Sequence, residues 1–431
     1  MWIFSTFLNK FATNNPNNRM TELVTQTLID RTIESMHRNI ERLEEGGINC
    51  VAYPFPRSRK HFPGIERATY YSVLAQTKVG KSQFVSDVFI FEPLMELYYG
   101  KYDFEYNVIY WALEETRERI VQRFMSWLLY RESGGKVKVS PTQLRSTLTP
   151  CPQEAMDMLA DEHIREILDF FDQHVIFPDE TPNPTGIYNW CRKWAEARGT
   201  RYDREIEIED EFGMKKTKKV FDHYVPDNPD AFNIVIVDPV NRIESERGMD
   251  ERTALKKISE YCAKYLRNDY FFTPVVVQQA NFQSYSLDAA KVKRFEPSVG
   301  DGGGSKEISQ DFDSQIALYC PANYDVDSYL GYDINKLRKK GLFARCTINR
   351  NGEAGGITPL FFDGAVTHFW ELPLPKSAGE MTAVYNYCDQ LDLPHTSEEL
   401  ANLNPFIKKH MPQQPAQKQQ IIQGFINLIF K

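Results

Sequence analysis

Ala75-Gln76-Thr77-Lys78-Val79-Gly80-Lys81-Ser82 is the stretch whose reading decides the fold of this chain. The β-branched and aromatic run Thr69-Tyr70-Tyr71-Ser72-Val73-Leu74 precedes it and predicts a strand, while Gln83-Phe84-Val85-Ser86-Asp87-Val88-Phe89 follows and predicts a helix. A loop ending in Gly-Lys-Ser between a strand and a helix is what a phosphate-binding loop requires, with one departure, since Ala75 stands where the usual pattern has Gly. Backbone N–H groups of such a loop, together with the positive end of the helix, attract phosphate oxygens. Lys81 is then placed to neutralise charge on the β- and γ-phosphates, and the Ser82 hydroxyl to ligate Mg²⁺.

A chain of 431 residues can bury a sizeable core. Its 42% hydrophobic and 26% charged residues are ordinary for a soluble globular protein. The formal net charge of −8 excludes an overall basic signature, so any polyanion must meet a local basic surface. Seven cysteines, at 50, 151, 191, 262, 320, 346 and 388, never pair as Cys-x-x-Cys. That argues for reduced thiols in a cytosolic setting and against a zinc ribbon. No apolar run reaches the length of a membrane span, so no membrane partner is expected. The apolar residues 1–8 are short, lack a basic flank and run into the polar 14–18, so they read as a disordered lead-in, not a signal peptide, with Met20 an alternative start.

Outward from the loop, residues 20–45 carry Leu23, Leu28, Ile29, Ile33, Met36, Ile40 and Leu43 near helical spacing, and Gly46-Gly47 stops the pattern. A Pro- and Arg-rich linker occupies 53–60. Strands are expected at 72–75, 108–112, 175–178, 234–238, 275–279 and 315–319, with helices at 83–98, 115–131, 152–173, 185–198 and 250–266. This alternation predicts an α/β fold, a mostly parallel twisted sheet flanked by helices. The charged segment 201–224 reads as a protruding hairpin with cross-strand charge pairs, either a partner contact or a solvated insertion. Residues 281–305 end in the glycine-rich Gly300-Asp301-Gly302-Gly303-Gly304-Ser305 and are expected to be mobile until they bind something. Antiparallel strands are expected at 342–349, 357–362 and 367–372, joined by Asn351-Gly352 and Asp363-Gly364 turns. From 373 to 431 the sequence reads as a tail, with a flexible joint at 411–415 and a short apolar helix at 421–430 that docks on a partner or on the core.

Three further residues suit the chemistry of a bound Mg-nucleotide. Asn233-Ile234-Val235-Ile236-Val237-Asp238 is a buried strand ending in an acid, as the metal shell of a phosphate-binding loop requires. Glu114 ends the strand before it in sequence and could activate an attacking water, whereas Glu115 and Glu118 also suit the first turn of a helix. Gln279 ends the 275–279 strand, where an amide can sense the γ-phosphate.

In order, the loop at 75–82, Ala112-Leu113-Glu114, Asp179-Glu180-Thr181-Pro182, Ile236-Val237-Asp238 and Gln279-Ala280-Asn281 resemble the RecA-like motor domain of DnaB-type replicative helicases. The most specific match is Pro297, Asp301, Ser305, Ile308, Gln310-Asp311 and Asp313, which fall on the family pattern without a gap. Asn349-Arg350-Asn351-Gly352 resembles the family's Gln-Arg-Asn-Gly hairpin, and the likeness spans about 60–372. An alanine at the position of Ala75 is normal in this family.

The resemblance implies a RecA-like ATPase core over 61–372, using ATP and Mg²⁺, in a ring, a hexamer, with nucleotide sites between subunits. It implies Glu114 as catalytic glutamate, Gln279 as γ-phosphate sensor and Arg350 as a finger reaching the neighbour's nucleotide. It implies single-stranded DNA gripped by Gly303, Gly304 and Lys306 in a central channel, and a linker helix at 20–45 packed on the adjacent subunit. Cytoplasmic replication, in a host cell if the chain is phage-encoded, and a primase or loader as partner follow from the same likeness. Two departures bear on DNA grip and finger coupling: Gly303-Gly304 replace a frequent Arg-Glu, and Ile348 replaces a lysine. The family's N-terminal primase-binding domain has no counterpart in the roughly sixty residues before the core. The alternative reading is a RecA- or KaiC-like ATPase that binds DNA or a partner without unwinding; KaiC-like chains usually carry two such loops, and here there is one match.

Overall fold

The computed structural model describes residues 28–101, 104–209, 215–280, 296–302 and 306–407. The chain divides into two units, residues 1–49 and 50–431. In the first, helix α1 (Leu28–Glu44) realises the described part of the expected 20–45 helix. Ile29, Ile33, Met36, Ile40 and Leu43 recur at helical spacing and all five are exposed. The chain turns after the helix at Gly46, where Arg42 Nη1 donates to Asn49 Oδ1 (2.8 Å) and Asn49 Nδ2 donates back to the Asn39 carbonyl (2.9 Å).

The second unit opens with a small antiparallel pair, β1 (Cys50–Ala52) and β2 (Gly64–Glu66). It continues into β3 (Tyr71–Ala75), whose five residues are all buried. The phosphate-loop stretch follows, then α2 (Lys81–Ser86), a π-helical turn over Asp87–Phe91, and α3 (Glu92–Tyr98). Next come β4 (Tyr106–Ala112), α4 (Arg117–Glu132), α5 (Gln153–Ala160), α6 (Glu162–His174) and the short β5 (Val175–Ile176). The single helix expected over 152–173 is two helices. Asp161 takes an extended conformation and accepts from His163 N (3.0 Å) and Ile164 N (3.4 Å), so a strong N-cap interrupts a continuous apolar pattern.

Helix α7 (Pro184–Glu196) leads into a long hairpin, β6 (Gly199–Glu209) and β7 (Lys215–Pro226), in which Glu205 faces Lys219 and Glu209 faces Lys215. Strand β8 (Phe232–Asp238), α8 (Glu251–Glu260) with a π-helical extension over Tyr261–Arg267, β9 (Thr273–Gln279) and β10 (Ser314–Tyr319) complete the parallel part. After the small pair β11 (Ser328–Tyr329) and β12 (Tyr332–Asp333) comes an antiparallel meander of β13 (Gly341–Asn349), β14 (Ile357–Asp363) and β15 (His368–Glu371).

Among the described residues the main sheet has nine strands in the order β15-β14-β13-β10-β3-β9-β8-β4-β5. Strands β10, β3, β9, β8, β4 and β5 pair in parallel, and β13 joins β10 antiparallel. The sheet is therefore mostly parallel with an antiparallel C-terminal edge. Its parallel strands are almost continuously apolar because helices cover both faces. One core joins Ile109, Trp111, Val235, Val237 and Val276 of the sheet to Ile187 and Trp194 of α7 and Leu255 and Ile258 of α8. Burying each such side chain contributes about 1.5–3 kcal/mol before conformational entropy is subtracted.

Past 373, where the sequence reads as a tail, the described residues form α9 (Ala378–Gln390) and α10 (Ser397–Leu403). Met381, Val384, Tyr387 and Cys388 make one apolar face of α9 and pack with Phe361, Trp370 and Phe406. Asn404 Nδ2 ties this layer down by donating to both Tyr130 (2.9 Å) and Tyr387 (3.1 Å) hydroxyls. The joint at 411–415 and the helix at 421–430 lie outside the described residues, as does the lead-in.

Candidate nucleotide site

The sheet order puts the C-terminal ends of β3, β9, β8 and β4 side by side, and the loop at 75–82, Gln279, Asp238 and Glu114 sit on those ends or just beyond them. After Ala75 the backbone turns left-handed at Lys78 (φ 64°) and again at Gly80 (φ 92°) before α2 begins. A Cβ on Gly80 would lie 2.8 Å from the Phe362 ring, so both the dihedral and the packing require glycine there. The turn delivers Lys81, which is buried, and Ser82 to the head of the helix. On the neighbouring strand, Gln279 Nε2 donates to Thr77 Oγ1 (2.7 Å), Gln279 N donates to Asn241 Oδ1 (3.0 Å), and Ala280 N donates to the Ala75 carbonyl (2.8 Å). Gln279 and the loop are thus held together directly.

Two strands from β3, Asp238 ends β8 with its carboxylate buried and both oxygens engaged. Ser82 Oγ donates to Oδ1 at 3.1 Å, and the Tyr110 hydroxyl donates to Oδ2 at 2.6 Å. Burial holds the Asp238 carboxyl above the usual carboxylate range; the hydrogen bonds from Tyr110 and Ser82, then the charges of Arg123 and Lys81, oppose that shift. A hydroxyl and a carboxylate oxygen converging next to a phosphate loop are hard donors of the kind Mg²⁺ takes, so the donor set fits that ion. Arg123 of α4 is buried and pairs with Glu115, while its Nη1 has no hydrogen-bond partner among the described residues.

Glu114 lies just past β4, exposed and without an ion pair among the described residues. Its neighbour Leu113 donates through N to the Asp238 carbonyl (2.8 Å), which fixes the end of β4 against β8. Asp179, from the expected Asp-Glu-Thr-Pro segment, pairs with Arg117 at the start of α4. Arg350 lies elsewhere. It follows β13 and donates through N to the Asp313 carbonyl (2.8 Å), while its guanidinium reaches Asp313 Oδ1 (3.6 Å) and the Gln310 carbonyl. Asp313 precedes Ser314, which is level with Tyr71 at the start of β3, so Arg350 sits at the opposite end of the sheet from its own Ser82.

Gly303 and Gly304 lie outside the described residues, and Lys306 opens the 3-10 turn Lys306–Gln310. On the N-terminal side of these residues, Asp301 Oδ2 accepts from Ser298 N and Oγ, each at 2.7 Å, and Gly302 bridges to Ala280. On the C-terminal side, Ile308 and Phe312 are buried in the core, and Asp311 accepts from Ser259 Oγ at 2.7 Å. The segment resembling the DNA loop is therefore anchored at both ends, one of them beside Gln279.

Sequence reasoning missed Tyr110, Arg123 and Phe362. Tyr110 had a signal: it lies two residues before Ala112, which pairs with Asp238, and so points to the same face of the sheet. Phe362 had none, because its contact with Gly80 joins positions far apart in sequence.

A mostly parallel sheet, nine-stranded among the described residues, with a phosphate-type loop at the end of β3 and an acid ending β8, defines the RecA-like class of folds. No protein-family model and no curated protein sequence matches the chain. More particularly, the fold is shared with a DnaB-like replicative helicase whose structure was described with its interactions with primase (TM-score 0.52, 14% identity, 85% of this chain and 70% of that one). It is shared to the same degree with the ATPase domain of a second helicase (TM-score 0.53, 15% identity, 80% of this chain and 99% of that one).

Proposed function

We propose that the chain is an ATP-dependent, ring-forming replicative DNA helicase that hydrolyses nucleotide between subunits to move along single-stranded DNA and unwind duplex. The observation that carries this reading is the 3.1 Å contact between Ser82 and Asp238, within a fold shared with DnaB-like motors. In it, the loop Ala75–Ser82 binds the phosphates through backbone N–H groups, and Lys81 offsets their charge. Ser82 and Asp238 hold Mg²⁺, which would supply charge neutralisation at the phosphates when bound. Glu114, exposed beside the end of β8, is free to take a proton from an attacking water. Gln279, already bonded to Thr77 of the loop, reports the γ-phosphate to the segment at 296–302.

Arg350 supports assembly, because it is far from its own loop along β3 and, as a finger, would serve a neighbour's site. The exposed apolar stripe of α1 supports it too, as a surface that a second copy would cover. Gly303, Gly304 and Lys306 are the proposed grip on the DNA strand. A primase as partner is carried over from the DnaB-like helicase of similar fold, described with its interactions with primase.

Unwinding of a forked duplex by the assembled protein tests this directly. ATP-dependent strand release is expected, and Lys81→Ala should abolish it. A ring that hydrolyses ATP yet releases no strand would overturn the helicase reading. Open filaments on single-stranded DNA in electron micrographs would instead favour a recombinase-like ATPase.

A further inference from the structure

Four polar side chains lie inside the sheet where apolar ones would be expected. Ser72 of β3, Gln278 of β9 and Gln315 of β10 are each at most 1% exposed, and Thr347 of β13 is part-buried beside them. They form one chain of hydrogen bonds. Thr347 Oγ1 donates to Gln315 Oε1 (2.9 Å); Gln315 Nε2 donates to Gln278 Oε1 (3.2 Å) and to Ser72 Oγ (3.3 Å); Ser72 Oγ donates to Gln278 Oε1 (2.9 Å). Burying two carboxamides and a hydroxyl is costly unless they bond one another, so this set persists only as a unit.

Each member sits next to a part of the proposed motor. Ser72 is on the strand that delivers the phosphate loop, and Gln278 directly precedes Gln279. Thr347 is on β13, the strand that Arg350 directly follows. The amide of Gln278 also faces Gly302: a Cβ there would lie 3.1 Å from Nε2 and 3.3 Å from Oε1. Gly302 is the last described residue before the proposed DNA loop and is bridged to Ala280. At the other end, Thr347 lines an open groove with Glu296, Pro297, Ser298, Arg345 and Gly355. One end of the bond chain therefore lies against Gly302 and the other shares a groove with 296–298, while its middle crosses the strand beneath the nucleotide site.

We propose that Gln278 and Gln315, with Ser72 and Thr347, are positioning residues that couple the 296–302 segment, which leads into the proposed DNA grip, to the phosphate loop and to Arg350. This rests on the motor reading above. A displacement of Gly302 presses on the Gln278 amide, which cannot rotate without releasing Ser72 and Gln315 together. The close packing leaves no half-way arrangement, so loop position and strand position change in concert.

The test measures ATP turnover with and without a single-stranded oligo-dT, nucleotide affinity, and thermal unfolding, for the wild type and three variants. Gln278→Met and Gln315→Met each break the chain. The triple variant Ser72→Ala/Gln278→Met/Gln315→Met removes the three buried polar members together, leaving no orphaned partner among them. Basal turnover and nucleotide affinity should stay within about threefold of wild type, while stimulation by oligo-dT falls about tenfold or more; the relay is inferred to be worth a typical coupling free energy. A merely structural role predicts that the triple variant, with its bonding conflict removed, regains both stability and stimulation. The relay predicts that it regains stability and remains unstimulated. Normal stimulation in the folded triple variant overturns the relay alone. A wild type that hydrolyses ATP without any response to oligo-dT overturns the motor reading and the relay with it.

Discussion

The Tyr110 hydroxyl donates to Asp238 Oδ2 at 2.6 Å, in full burial, while Ser82 occupies the other carboxylate oxygen. The tyrosine therefore orients the acid from behind and favours its charged form against the desolvation that pushes its pKa up. Tyr110→Phe keeps the ring and removes only that bond. The Asp238 carboxyl should then titrate at still higher pH, so the acid limb of Mg-dependent ATP hydrolysis moves upward. Loss of an outer-shell partner of this type costs about 10-fold or more in metal affinity, read as a higher Mg²⁺ concentration for half-maximal rate. An unchanged pH profile and Mg²⁺ requirement would remove Tyr110 from the site.

Arg350 is held within its own chain by Asp313 and the Gln310 carbonyl, so it must leave these contacts to reach a neighbouring subunit's nucleotide. Arg350→Ala should preserve nucleotide binding and assembly, and reduce turnover about 10³-fold, the lower range for an arginine supplied in trans. Mixing Arg350→Ala subunits with Lys81→Ala subunits separates the roles further. Interfaces that pair an intact loop with an intact finger should recover partial activity if the arginine acts between subunits. Equal turnover by the Arg350→Ala assembly and the wild type would disprove the finger role.

The parallel half of the sheet was legible because β4, β8 and β9 are covered on both faces and read as unbroken apolar runs. The loop was legible because its spacing is the one a phosphate-binding loop requires. Local capping was harder to see, since Asp161 splits α5 from α6 within a continuous apolar pattern. The layer of α9 and α10 was hidden among Pro, Gln and Lys residues; it becomes evident only when Tyr130, far away in sequence, joins Trp370 in supplying the surface it covers. The Ser72–Gln278–Gln315 set shows the same limit. Each residue alone looks like a polar interruption in a strand, and only the register brings them within bonding distance.

Helix α1 exposes Ile33 (45%), Met36 (58%) and Ile40 (51%) along one stripe. If a neighbouring subunit covers that stripe, Ile33→Glu/Ile40→Glu should disperse the assembly, because each charge would be buried without a partner. Light scattering after size exclusion would read the change as a fall to the monomer mass. Turnover should fall in parallel, since each proposed site needs a neighbour. Wild-type mass for the double variant would assign the stripe to some other partner.

Asp363 is fully buried between Lys138 (2.6 Å) and Lys340 (3.2 Å), joining the segment after α4 to the end of β14. Burial alone would raise its pKa, but the two ammonium groups outweigh desolvation and hold the carboxyl below its ordinary value. A carboxylate with a depressed folded pKa adds stability that is fully present above its unfolded pKa of about 4 and is lost as pH falls through the folded value. Asp363→Asn should therefore destabilise the protein at neutral pH and flatten the acid side of its stability profile. Asp363→Ala leaves both lysines without their shared partner and should cost about 3–5 kcal/mol, the range for breaking a buried ion pair from one side. Urea unfolding at neutral and acidic pH measures both effects. Parallel losses of wild-type and Asp363→Asn stability on acidification would show that this carboxylate does not set the acid limb.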